Sequence, residues 1–382
     1  MMPPEIKISP AGEVMMNHEF SQEVIQPFGE HFQSNSLRNS AQKYTENYAS
    51  GADGDVEEKA EQTPSDHDRQ FEEAWHEEYG FTLDNLQAFV GGIDALLVTD
   101  RKAALQMKRS DLIIRLCSES SLSSEIVAAC IQKFSFIPRE KWDVSPEGYM
   151  SSAWFPWQFQ RQLSLVSRPI IQLENSDDPE CLIAPAMIIM NVAKFVSDAR
   201  DGALDQRMFK QDGLMFKWVG LVNGDQGEAF KEKVAEKLRC TGWDAKANLS
   251  DGQILNRKKN PAFGDVDVLA WDKTHKRVLV VECKDLSFDK TIGEIARRLA
   301  NYKGVLKANG KRDDLKKHLD RCEDIEANIA KLSQFVGFDV ERIDRVLLFS
   351  QSTPIQFSKI AEQYAVTVCT FADITETFSI PD

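Results

Sequence analysis

The chain has 382 residues, 42% of them hydrophobic and 28% charged, an ordinary globular composition with length enough for two domains and a large core. No apolar run approaches bilayer length, and the opening MMPPEIKISPAGE lacks the charged-then-apolar order of a secretory signal, so the expectation is a cytoplasmic protein without membrane contact. The net charge of −14 argues against a nucleic-acid binder only until it is divided along the chain: residues 1–68 hold four Lys/Arg against thirteen Asp/Glu, whereas residues 297–321 hold nine Lys/Arg against three Asp.

Residues 1–68 have scattered apolar positions without a sustained period, the composition of a disordered acidic tail or one only loosely associated with the rest. Residues 69–212 read as a mainly helical domain. Leu83, Leu86, Phe89 and Val90 recur at helical spacing, then Leu112, Ile113 and Leu116, then Ile126, Ala129, Cys130 and Phe134 behind the N-cap signal SLSSE. Prolines keep residues 140–182 irregular apart from the strand-like SRPIIQLE, and residues 182–199 read as one more amphipathic helix. From 213 to 382 strands and helices alternate: strand LMFKWVGLV, helix GEAFKEKVAEKL, strand WDAKANLS, strands DVDVLAW and VLVVECKD, helix TIGEIARRLANYKG, a long helix over 313–336, strand RVLLFS, helix FSKIAEQY, strand VTVCTF and a terminal helix. That order is α/β. Ile292, Ile295, Leu299 and Tyr302 form one stripe on the helix after VLVVECKD.

Residues 264–284, GDVDVLAWDKTHKRVLVVECK, carry the chemistry. Strand periodicity puts Asp265, Asp267, Leu269 and Trp271 on one face, and Val280, Glu282 and Lys284 on one face of the next strand. A strand as apolar as VLVVECK gains no stability from an unpaired buried carboxylate and ammonium, which cost several kcal/mol by rough estimate. A divalent metal with a phosphate oxygen and a water would offset that cost. The seven cysteines are odd in number and form no C-x-x-C pair, so they read as reduced thiols, Cys283 among them as core packing.

Over roughly residues 225–375 this combination resembles the PD-(D/E)xK nuclease superfamily, the restriction-endonuclease-like fold: GDVD leads the hairpin, Glu282-Cys283-Lys284 ends it, FKEKVAEKLRCTGW resembles the first helix, and RVLLFSQSTPIQFSKIAEQYAVTVCTFADI resembles the Mrr-type ending. The resemblance implies a mixed central sheet flanked by helices, and a metal-dependent endonuclease acting on DNA, with RNA left open. Asp267, Glu282 and Lys284 would be catalytic, the two acids holding Mg²⁺ or Mn²⁺ and Lys284 steering the water. Asp265 is either a further metal ligand or a turn acid, and Glu228 or Glu232 is the candidate extra acid on the first helix. The leading acid follows Gly rather than Pro, and Arg298 and Tyr302 stand where many relatives carry Gln and an aromatic.

Arg257, Lys258 and Lys259 in the NRKKNPAF loop, and Arg297, Arg298, Tyr302 and Lys303 in the basic run, are the candidate nucleic-acid contacts. GVLKANGKR has the wrong spacing for a phosphate loop, and the histidines, His275 and His318 included, form no ligand pair. Removing either acid should relieve repulsion in a metal-free cluster and leave the fold at least as stable. The functional expectation is restriction or defence against foreign DNA, with a protein partner for the helical domain and a homodimer as one arrangement. The rivals are a non-catalytic nucleic-acid-binding or assembly module of the same fold, and a structure-specific repair or junction nuclease.

Overall fold

The computed structural model describes residues 7–8, 14–15, 21–31 and 65–380, except 140, 142–143, 151–152, 160, 259, 261–263 and 287–288. Most of the acidic tail, and Lys259, therefore lie outside the described residues. The chain is mixed α/β and divides into two units, Lys59–Gly224 on one side and Met1–Glu58 with Asp225–Asp382 on the other.

In the first unit, α1 (Asp66–Tyr79) and α2 (Leu83–Asp100) each begin with a capping box, Ser65 with Asp68 and Thr82 with Asn85. β1 (Leu105–Lys108) leads into α3 (Arg109–Ser120), and α4 (Ser124–Phe134) starts at Ser123, inside the expected cap signal. β2 (Ser135–Phe136), β3 (Ile170–Gln172) and β4 (Glu180–Ile183) join β1 in a sheet of order β1-β4-β3-β2. This small sheet is an addition to a unit that is otherwise helical, and residues 180–183, read as helix from Leu182, are strand before α5 (Pro185–Arg200) begins at its proline. Strands of two to four residues show too few alternations to register as a period. Phe71, Trp75, Phe89, Leu112, Ile131 and Phe134 are fully buried in one core with the apolar face of α5.

The segment LMFKWVGLV is helix, not strand: α6 runs unbroken over Leu214–Cys240. Met215, Trp218, Val219 and Val222 are its buried positions in the first unit, at spacings of three and four, so period overrides the β propensity of the local residues. Phe230, Val234, Ala235 and Leu238 continue the stripe in the second unit.

That second unit is built on five strands in the order β9-β8-β7-β6-β5: β5 (Asp244–Ser250), β6 (Asp265–Asp272) and β7 (Arg277–Lys284) form an antiparallel meander, and β8 (Arg342–Phe349) and β9 (Val366–Thr370) add in parallel. A short helix, α7 (Asp251–Leu255), follows β5; α8 (Ile292–Ala300) follows β7; α9 (Asp314–Ala327) and α10 (Ile329–Val336) precede β8; α11 (Ile360–Tyr364) and α12 (Ile374–Phe378) flank β9. The expected single helix over 313–336 is divided at Asn328, whose backbone (φ −115°, ψ 30°) leaves the helical region while its amide donates to the Asp324 carbonyl at 2.8 Å. α6 covers one face of the sheet, against Val268, Ala270, Leu279 and Val281. Cys322, Ile325 and Leu332 of α9 and α10 cover the other, against Leu269, Val278 and Val280.

Residues 21–31 are helical, with Val24 and Phe28 buried against Ile295 of α8, which corrects the expectation of disorder for that stretch of the tail. Ile292, expected in the buried stripe of α8, is 36% exposed. No single helix among the described residues is long and apolar enough to cross a membrane.

Candidate active site at the end of the β6–β7 hairpin

The β6–β7 ladder ends at the pair Val268↔Val281, one residue short of Asp267 and Glu282. On the other side of β6, Asn248 of β5 takes a left-handed backbone (φ 56°) opposite Asp267, a bulge in the β5–β6 pairing. Strict alternation fails here: Val268 packs on the α6 side, yet Val266, two residues earlier, packs with Leu269 on the α9 side. The common face expected for Asp265, Asp267, Leu269 and Trp271 therefore does not hold. Asp265 sits at the exposed start of β6 opposite Ser250.

Asp267 uses one carboxylate oxygen to accept the Cys283 N–H at 2.9 Å, filling the gap left by the ended ladder. Its other oxygen lies 3.1 Å from Lys231 Nζ on α6, and Lys231 also holds Glu228 at 2.7 Å. Burial pushes the Asp267 carboxyl up, and the negative charge of Glu282 adds to it. Glu282 is 7% exposed. Its Oε1 pairs with Lys284 Nζ at 2.7 Å and its Oε2 with Arg321 Nη1 of α9 at 2.5 Å, while His318 Nδ1 lies 4.0 Å away. Burial works against its charge, but Lys284, Arg321 and His318 outweigh burial and hold the carboxyl at about 2. Burial likewise drives His318 down to about 4, so it stands as a neutral ring at neutral pH. Burial works against the Lys284 charge as well, but Glu282, by charge and hydrogen bond, outweighs it and pushes the ammonium up.

Three carboxylates (Glu228, Asp267, Glu282) thus face three cations (Lys231, Lys284, Arg321). This corrects the expectation that both acids strain against each other without partners: Asp267 is disfavoured as a charge, whereas Glu282 is strongly held as one. Among the described residues no three His, Cys, Asp or Glu side chains form a metal cage. The donor set does fit a cation that binds through one or two carboxylates and completes its shell with water and phosphate. At both Asp267 and Glu282 a lysine ammonium already stands against an oxygen, and a metal would have to share or displace it.

Glu232 lies on the exposed side of α6, away from these contacts. The Arg257 guanidinium is committed to Asp251, at 2.8 Å, and to Asp324, so it braces the loop rather than offering itself to a backbone phosphate. Lys258 is exposed. In the basic run Arg298 pairs with Asp289, Arg312 and Lys316 with Asp320, and Lys317 with Asp314. Tyr302 is 3% exposed and packs edge-on against Phe349, which removes it as a surface contact. Arg297, Lys303, Lys307 and Lys311 are exposed, the last two flanking a bridge between Leu306 and Arg312. Asp313, fully buried, accepts the N–H groups of Lys303, Val305 and Lys316 and fixes this excursion to the start of α9.

Sequence reasoning missed Lys231, Arg321 and the place of His318. One signal was present: His318 falls within the buried stripe Leu315, Leu319, Cys322, Ile325, where a polar residue needs a partner.

Comparison with curated proteins and with solved structures gives no significant match. A family model described as an anti-phage protein, Upx-like, matches residues 1–375, and the chain therefore belongs to the Upx-like family of anti-phage proteins.

Proposed function

We propose that this chain acts in anti-phage defence as a divalent-metal-dependent endonuclease that hydrolyses phosphodiester bonds of DNA, on a restriction-endonuclease-like fold. The observation that carries the proposal is that, where their strands part, Asp267 and Glu282 lie near enough for the charge of Glu282 to raise the Asp267 carboxyl, with Lys284 at 2.7 Å from Glu282 on the same strand. A buried acid pair with a lysine beside it is the arrangement needed to handle a phosphate, a water and a neutralising ion together.

Asp267 and Glu282 would hold Mg²⁺ or Mn²⁺, which would supply a more acidic water and charge neutralisation at the scissile phosphate. Lys284 would then orient that water or bind a non-bridging oxygen, and Lys231 would exchange Asp267 for a phosphate oxygen or remain with Glu228. Arg321 holds Glu282 from the α9 side and so positions it. Lys303, Lys307 and Lys311 supply backbone contacts without sequence readout.

A second reading, a non-catalytic nucleic-acid-binding module, is favoured by one observation: each carboxylate already has a cationic partner. Incubating the full chain with plasmid, single-stranded DNA and RNA, in Mg²⁺, Mn²⁺ or EDTA, separates the two. Metal-dependent cleavage of DNA that Lys284→Ala abolishes supports the nuclease. Binding with no cleavage under any ion supports the module.

A further inference from the structure

The first unit has an open cavity of about 400 Å³ between the end of α1, the outer face of α4 and the loops before β3. That volume falls in the range of roughly 300–1,000 Å³ typical of small-molecule sites and is far larger than a bare oxyanion needs. None of its residues belongs to the acidic site described above.

Two cations line it. Arg168 is fixed in place: its Nε donates to the Gln162 carbonyl at 3.1 Å, Nη1 to the carbonyls of Gln132 and Ser135 at 3.3 and 3.0 Å, and Nη2 to the Tyr149 hydroxyl at 2.8 Å. One N–H of Nη2 remains after these bonds. Lys133 Nζ lies over the rings of Tyr79 and Phe195, 4.3 and 4.4 Å from their centroids. Neither cation has a carboxylate within ion-pair distance among the described residues. Glu78, the acid in the lining, accepts the Lys210 N–H at 3.1 Å instead. The Tyr79 hydroxyl is buried without a hydrogen-bond partner.

Two partly buried positive charges close to each other repel, Glu78 in the lining offsets them only from beyond ion-pair distance, and a bound anion would relieve both. A phosphate monoester, carrying about −1.5 to −2 at neutral pH, matches two cations better than a single carboxylate does. The rest of the lining, with Ala129, Ile137 and Met208, the Tyr149 ring and the Gln132 amide, offers an apolar wall and a polar edge that suit a base.

We propose that this cavity binds a 5′-nucleoside monophosphate, with the phosphate between Lys133 and Arg168 and the nucleoside in the remaining volume. The proposal is independent of the nuclease reading. Burial first, then the charge of Arg168, holds the Lys133 ammonium down at about 7, with Glu78 opposing. Binding then draws a proton onto Lys133, and affinity should fall by up to about tenfold per pH unit above 7.

The test is calorimetric titration of the full-length protein with AMP, GMP, CMP and UMP, with adenosine, and with inorganic phosphate, on wild type and Lys133→Met. At least one monophosphate should bind tenfold or more tightly than adenosine or phosphate, and Lys133→Met should lose at least tenfold while melting no lower than wild type. Should Lys133→Met fail to fold, wild-type affinity at pH 6.5, 7.5 and 8.5 decides, and it should fall with rising pH. The proposal is overturned if no monophosphate binds, if inorganic phosphate binds as tightly, if Lys133→Met binds unchanged, or if wild-type affinity is flat over that range.

Discussion

Glu282→Gln should destabilise the second unit far more than Asp267→Asn, although both remove one acid from the same cluster. Glu282 is held at about 2, against about 4.5 in an unfolded chain. A difference of 2.5 units corresponds to about 3 kcal/mol, which agrees with the roughly 3–5 kcal/mol lost when one partner of a buried ion pair is removed. The substituted amide would also turn its NH₂ towards either Lys284 or Arg321, which both stand within 2.7 Å of the carboxylate. Asp267 is shifted the other way, so its charged form is penalised in the fold and its contribution is lost as pH rises through the folded value. Asn keeps an acceptor for the Cys283 N–H, relieves repulsion with Glu282 and leaves Lys231 its bond to Glu228. The net change should stay within about 1 kcal/mol. Thermal unfolding at pH 7 should place Glu282→Gln roughly 6–12 °C below wild type in the transition of this unit, and Asp267→Asn within about 3 °C. The Glu282 contribution is present above about pH 4.5 and is lost as pH falls through 2, so the two variants should converge in acid. Equal losses at pH 7, or an unshifted Glu282→Gln, would refute the charge assignment.

Arg257→Ala should cost about 3 kcal/mol by denaturant titration, because it leaves the fully buried Asp251 and its neighbour Asp324 without their cation, and it should leave DNA affinity nearly unchanged. Reversing Lys303, Lys307 and Lys311 to Glu should flatten the salt dependence of DNA binding by about two to three units of slope without changing sequence preference; an unchanged slope assigns the excursion to solvated surface. The depressed Lys133 ammonium penalises the fold fully below pH 7, and that penalty fades as pH rises towards the ordinary lysine value. Lys133→Met should therefore stabilise the first unit at pH 7, by about 1–3 kcal/mol once residual hydration of the ammonium is allowed for, and the gain should shrink by pH 10.

The hairpin and the placement of Glu282 and Lys284 at its end were legible because a continuous apolar run with charges only at its end admits one strand reading, but their direct ion pair was not, since both read as unpaired. The order of elements after it was legible for the same reason of period, down to β8 and β9. The charge state of the acids was not. It is set by Lys231, which lies on α6 well before the hairpin, and by Arg321 and His318 on α9 well after it, and no local spacing links these positions. The face on which Asp265 lies was misjudged because one residue, Asn248 on the neighbouring strand, adopts a left-handed backbone, which alternation cannot anticipate. LMFKWVGLV misled through propensity, since its aromatic and β-branched residues occupy helical spacings that become visible only when Met215, Trp218, Val219 and Val222 are taken together.

The most direct measurement is single-turnover cleavage of a labelled DNA duplex by wild type and Asp267→Asn in Mg²⁺ and in Mn²⁺, with binding of the same duplex followed in parallel by anisotropy. Wild type should cleave only with the metal, and Asp267→Asn should bind within about threefold of wild type while its cleavage falls by at least a hundredfold. Cleavage that persists in Asp267→Asn, or that proceeds equally in EDTA, would contradict a metal-dependent nuclease centred on Asp267 and Glu282.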